Sequence, residues 1–128
     1  MSQITTLLFI AFGGAFGACS RYLLSEMCVT FLGRNFPYGT LLVNVLGSFI
    51  MGVLIAGIEQ EWQHFATHKA MVGVGFLGAL TTFSTFSMDT FLLLQQASFI
   101  KAGLNILLNV VLSIFVVWLG FKLVAAFS

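Results

Sequence analysis

Charge is what this chain has least of. Its 128 residues include five Lys and Arg, four Asp and Glu and two His, so charged residues make up 7% of the sequence against 59% hydrophobic. A water-soluble domain carries several times that charge, and its absence selects an integral membrane protein. A net charge of +1 offers no basic footprint, so membrane lipid is an expected partner and nucleic acid is not. No Lys or Arg precedes Arg21, so the basic start of a secretory signal is missing and the first apolar segment is expected to stay in the mature chain. The two cysteines, Cys19 and Cys28, fit no metal spacing and read as free thiols. No P-loop, nucleophile elbow or HExxH occurs, which argues against an enzyme.

Four long apolar segments remain. Residues Ser2 to Ser20 and Gly39 to Ile58 carry no formal charge, and each has the roughly 20 residues a helix needs to cross a bilayer. A third segment runs from Ala70 to about Ala97, interrupted by a polar run and Asp89, and a fourth runs from Ala102 to Phe121. The expected fold is therefore all-α, a single four-helix transmembrane domain over residues 1–128. Its connections would be Arg21 to Tyr38, Glu59 to Lys69 and a tight turn near Ser98 to Lys101. An even number of spans puts both termini on one side with Lys69 and Lys122, against Arg21, Arg34 and Lys101 on the other. That split barely sets an orientation. It leaves open a chain oriented by other signals and a chain that inserts both ways and pairs antiparallel with itself. Four helices enclose little interior, which favours an oligomer, and the small pairs Gly13 with Gly17 and Ser48 with Gly52 are candidates for contact between copies.

The most informative stretch is Gly78-Ala-Leu-Thr-Thr-Phe-Ser-Thr-Phe-Ser-Met-Asp89, with five hydroxyls between Thr81 and Ser87. Polar groups in hydrocarbon need partners or water, so such a run points to a path or a site. Glycines at 73, 75 and 78 ahead of it suggest an unwound turn in the third span, whose exposed carbonyls would suit a small cation. The alternative is a continuous helix with each hydroxyl bonded to the carbonyl four residues back. Phe83 and Phe86 sit among the hydroxyls, and a phenyl edge turned into a narrow polar path attracts an anion without trapping it. Asn105, Asn109 and Ser113 form a stripe on the fourth span, and Asn44 lies near the start of the second. Their amides and hydroxyls either donate to an anion or glue helices together. Arg21 reads as an anchor at a span end, and Asp89, deeper, has Arg21 or Lys101 as possible partners. Glu59, Glu61, His64 and His68 read as solvated loop charge rather than a metal site.

Three ordered motifs together resemble the Fluc (CrcB) family of small fluoride channels. They are Gly13-Gly-Ala-Phe-Gly-Ala18 with Arg21-Tyr22, Gly39-Thr-Leu-Leu-Val-Asn44 with Gly47, and Gly78-Ala-Leu-Thr-Thr-Phe-Ser-Thr-Phe-Ser87. The resemblance implies a dual-topology antiparallel homodimer with two fluoride pathways and a broken third span. It implies that Phe83 and Phe86 line the pore with Asn44, and that backbone carbonyls of Gly78 and Thr81 from both subunits hold a structural sodium ion. Arg21 matches the family's arginine after the first-span glycines. The family's fourth span often carries Tyr and Ser where this chain has Asn105 and Asn109, so the roles of those two stay open.

The function this implies is passive, fluoride-selective conduction across a bacterial inner membrane, relieving fluoride that enters the cell as the neutral acid. The expected pathway residues are Arg21, Asn44, Phe83, Ser84, Thr85, Phe86, Asn109 and Ser113. Two rivals are a small multidrug-type proton-coupled exporter, for which the first span lacks an embedded glutamate, and a non-transporting membrane assembly protein, which would not explain the hydroxyl run.

Overall fold

The computed structural model describes residues 2–60 and 68–127, and its regular structure is entirely helical. Four helical segments, Gln3–Leu32, Tyr38–Glu59, Ala70–Gln95 and Phe99–Ala126, are long and apolar enough to cross a membrane. The chain is an all-α, four-span membrane protein.

The first span is longer than its uncharged stretch. Helix α1 runs Gln3–Leu32, through Arg21 and Glu26, so the connection expected from Arg21 to Tyr38 shrinks to residues 33–37. Charges limit burial in lipid but do not stop a helix; the first breakers are Gly33 and Pro37. Ser2 caps the start, its Oγ accepting from the Thr5 N–H at 3.2 Å. Gly33, at φ 83, closes the end and donates to the Val29 carbonyl. At 30 residues the helix is about 45 Å long, well beyond a hydrocarbon core of about 30 Å. Helix α2 covers Tyr38–Glu59.

The third span opens with a π-helical stretch over Ala70–Leu77, followed by the short helix Gly78–Leu80. Thr81 and Thr82 are extended, and helix α3 covers Phe83–Gln95. A six-residue turn ends α3: Ser98 donates to the Leu93 carbonyl at 2.9 Å and Ala97 to that of Leu94 at 3.0 Å. Ala97 takes a left-handed φ of 58 there. The fourth span starts at Phe99 and loosens into a second π-helical stretch over Leu108–Leu112. Neither stretch of π-helix is legible in the sequence, because apolar composition alone does not set hydrogen-bond spacing. His64 and Glu61 lie outside the described residues. His68 packs edge-on against Phe9 with ring centroids 5.8 Å apart.

Glycines decide how the spans pack. A Cβ on Gly13 would collide with the Met71 carbonyl oxygen, and one on Gly17 with that of Phe76. In return, a Cβ on Gly75 would sit 2.5 Å from the Ile10 carbonyl oxygen. The second and fourth spans repeat the arrangement: Gly52 faces the Val117 carbonyl and Gly120 that of Phe49. The expected use of Gly13, Gly17 and Gly52 between copies is thus corrected, since their bare faces are filled from within the chain. Close backbone approach is the packing mode available where lipid is as apolar as the side chains. A small core of Val43, Leu54, Leu77 and Leu80 joins the second and third spans.

Candidate functional site

The site is organised around Thr82. Its dihedrals, φ −150 and ψ 119, are those of a strand, in which a residue's N–H and C=O point to the same side. Asn44 on α2 engages both: Thr82 donates its N–H to Asn44 Oδ1 at 2.8 Å, and Asn44 Nδ2 donates to the Thr82 carbonyl at 3.2 Å. A helical residue directs those groups to opposite ends of the axis, so this two-point contact selects the extended form. The diversion has a consequence for the carbonyls behind it. In an uninterrupted helix the N–H groups of Thr82 and Thr85 would serve Gly78 and Thr81, but they go instead to Asn44 Oδ1 and to Thr82 Oγ1. The Gly78 and Thr81 carbonyls, the pair expected to face a cation, are left without their helical donors.

From Asn44 the hydrogen bonds continue into the fourth span. Asn44 Nδ2 donates to Asn109 Oδ1 at 2.9 Å. Asn109 Nδ2 donates to the carbonyl and side-chain oxygens of Asn105, at 2.8 and 2.9 Å. Asn105 Nδ2 donates to Thr90 Oγ1 at 2.9 Å, and the Thr90 hydroxyl to the Phe86 carbonyl at 2.8 Å. Asn105 is 0% exposed, so its carboxamide is wholly committed to the protein.

The hydroxyl run divides by use. Thr81 donates to the Leu77 carbonyl and Ser87 to the Phe83 carbonyl, the back-bonding of an ordinary helix. Thr82 Oγ1 caps α3 by accepting from the Thr85 N–H at 3.1 Å and donates its own proton to Thr85 Oγ1. Ser84 Oγ lies 3.4 Å from Thr82 Oγ1, a length too great for a strong O–H···O bond. Thr85 accepts from Thr82, and its own proton has no acceptor among the described residues. Ser84 and Thr85 are therefore the hydroxyls with donor capacity to spare.

Three cavities follow one another along these residues. One, of about 350 Å³, is lined by Asn44, Thr82, Phe83, Phe86, Asn109 and Ser113 among others. The next, of about 270 Å³, has Arg21, Ser25, Thr40, Thr82 and Thr85 in its wall. The third, of about 380 Å³, is lined by Thr40, Thr85 and Asp89 together with Arg34 and Asn35 of the first connection. Thr82 is common to the first pair, and Ser25, Thr40 and Thr85 to the second. Of the residues expected on the pathway, all but Ser84 stand on the first two cavities. Phe83 and Phe86 are tilted rings 5.5 Å apart, the first 78% exposed and the second buried. Arg21 Nε and Ser113 Oγ are buried without a partner among the described residues, and both residues belong to the walls of these cavities.

Asp89 corrects the pairing expected of it. Its Oδ2 accepts from the Thr40 hydroxyl at 2.7 Å, and neither Arg21 nor Lys101 is its partner. Thr40 and Thr90 join the site although neither stands out by residue type. Thr40, Asn44 and Ser48 follow one another at i, i+4 and i+8, the spacing that made Asn105, Asn109 and Ser113 conspicuous, and the same criterion applied to the second span would have found it.

Fold and site together define a small multi-pass membrane protein with a polar track let into an apolar bundle. The family model described as "CrcB-like protein, Camphor Resistance (CrcB)" matches residues 8–121, and the chain belongs to that family. Among its relatives, proteins named "Fluoride-specific ion channel FluC" from Vibrio campbellii, Photobacterium profundum and Aliivibrio salmonicida are 66%, 62% and 62% identical over 123 residues. These alignments cover 96% of this chain and 97%, 97% and 98% of the respective relatives.

Proposed function

We propose that this protein is a fluoride-selective channel that lets the ion leave the cytoplasm passively and so limits fluoride toxicity. What carries the reading is the succession of three cavities with shared threonine walls, in a chain whose relatives bear the name of fluoride channels. Fluoride is small and tightly hydrated, so it moves only where donors replace its water step by step. The spare hydroxyls of Ser84, Thr85 and Ser113, the Arg21 guanidinium and the edges of Phe83 and Phe86 supply such steps. Asn44 and Asn109 line the same track, with their amide protons engaged inside the chain.

The working unit in this reading is an antiparallel homodimer with dual topology, and the third span is a discontinuous helix. One flank of the Phe83–Phe86 cavity is open in the single chain, as the 78% exposure of Phe83 illustrates, and a second copy would close it. A structural sodium ion at the dimer centre would take the carbonyls of Gly78 and Thr81 from each copy. The support is chemical: both carbonyls have lost their helical donors, and carbonyl oxygen is a hard ligand suited to that ion. The ion would add positive potential beside an anion track.

Fluoride efflux from liposomes containing the purified protein tests the reading. Fluoride flux with little or no chloride flux is expected, while equal rates for the two anions, or no fluoride flux, would defeat it. Within that assay Phe83→Ile keeps the bulk and removes the ring quadrupole, and fluoride flux should fall by roughly tenfold or more. Unchanged flux through Phe83→Ile would take this ring off the path.

A further inference from the structure

The order of donor and acceptor through Asn44, Asn109, Asn105 and Thr90 is fixed by their partners. The Thr82 N–H can only donate, so the Asn44 atom it meets is Oδ1 and the other terminal atom is Nδ2. Asn109 lies against the Asn105 carbonyl, which can only accept, so the atom there is Nδ2 and Oδ1 faces Asn44. Asn105 receives Asn109 on Oδ1, which turns its Nδ2 to Thr90, and the Thr90 hydroxyl then points to the Phe86 carbonyl. The series starts at Thr82, at the head of α3, and ends on the carbonyl of Phe86 one turn later. It therefore brackets the turn that holds Phe83 and Phe86.

We propose that Asn105 and Thr90 are positioning residues for the anion track: with Asn109 they form a one-way hydrogen-bond relay that fixes the Asn44 carboxamide, and Asn44 in turn clamps Thr82 extended. Asn105 and Thr90 are 0% and 8% exposed, and neither stands in the wall of the cavity that holds the phenyl rings. Their effect on an ion is exerted through the bearing of Phe83 and Phe86. The relay assigns the asparagines of the fourth span to orientation rather than to contact with the ion, because Asn109 spends its amide protons on Asn105.

The consequence for flux rests on the fluoride reading, whereas the hydrogen bonds do not, so the experiment has two arms. Asn105→Leu and Thr90→Val remove links at nearly constant volume, and Thr90→Ser keeps the hydroxyl. In lipid nanodiscs, backbone hydrogen exchange at the Thr82 amide should quicken about tenfold in the first two variants, since a stranded buried amide makes the adjoining bonds costly to keep. Fluoride efflux from liposomes should fall about tenfold in the same two, and Thr90→Ser should restore both quantities. Unchanged exchange at Thr82 would show that the relay does not reach Asn44 and would overturn the proposal. Faster exchange with undiminished flux would overturn it too, by separating Thr82 from the track. If Asn105→Leu does not fold, the Thr90→Val and Thr90→Ser pair decides alone. A wild-type protein that carries no fluoride would defeat the channel reading, and the exchange arm would still judge the relay.

Discussion

The segments on either side of Thr81 and Thr82 belong to one span yet are held by opposite means. Residues Ala70 to Leu80 contain no hydroxyl and pack on the first span through bare glycines, with the carbonyls of Met71 and Phe76 in the places that side chains on Gly13 and Gly17 would need. Residues Phe83 to Gln95 are held by directed bonds: the Thr82 cap at one end and Thr90 with Asn105 further along. The first mode depends on the absence of atoms and tolerates no addition. The second depends on particular donors and acceptors, and can be dismantled one proton at a time. Between them sit Thr81 and Thr82, both with extended dihedrals, the second held through its N–H and C=O by the Asn44 amide of α2.

This difference says where the chain resists change and where it can be tuned. Close-packed backbone makes a rigid seat, because moving it means separating two helices. A hydrogen-bonded segment can shift its rings by small amounts when one partner changes, which is useful beside an ion path and useless at a seam. The steepest test of the contrast is at the seam. Gly17→Val would drive a branched side chain into the Phe76 carbonyl and the Ala79 methyl, and the cost should be at least about 3 kcal/mol. Unfolding in mixed micelles, followed by circular dichroism, measures it. A loss below about 1 kcal/mol would mean that the two spans separate easily and that the seat is not rigid.

The directed side of the contrast predicts a smaller and more chemical effect. Thr82→Val keeps the shape but removes the oxygen that accepts from the Thr85 N–H, and should destabilise the protein by about 1 kcal/mol. Thr82→Ser should recover most of that loss. If valine and serine behave alike in the same unfolding assay, shape rather than the cap holds the head of α3, and the two segments differ less than their bonding suggests.

Much of this was legible in the sequence, and the parts that were not share a cause. The four spans follow from apolar runs separated by polar residues, and Asn44, Phe83 and Phe86 stand out by residue type in an unlikely setting. The end of α1 does not show in the charge pattern, because lipid burial and helix formation are separate requirements and the helix runs on through Arg21 and Glu26. The hydroxyl run could not be apportioned from spacing, since Thr81 and Thr85 differ only in what lies opposite them in three dimensions. Gly13 and Gly17 have the spacing of a contact between helices, but spacing does not say whether the partner is a span of the same chain. Asp89 likewise found Thr40 because α2 passes beside α3, a fact of packing that no local pattern carries.

The smallest prediction concerns the end of α3, away from both the seam and the relay. The turn there makes the paired bonds of a Schellman motif, from Ser98 to Leu93 and from Ala97 to Leu94. Its left-handed position is filled by Ala97 at φ 58, although a Cβ makes that conformation costly and glycine is the usual occupant. Ala97→Gly relieves the clash in the folded state but frees more conformations in the unfolded one, so the two effects oppose each other. At a positive φ the relief is the larger, and a net gain of about 0.5 to 1 kcal/mol is expected. Because Ala97 is exposed and touches neither the glycine seam nor the relay, fluoride flux should stay at the wild-type rate while the unfolding midpoint rises. A change in flux would mean that the end of α3 is coupled to its head, and the directed segment would then have to be treated as one rigid lever from Thr82 to Ala97.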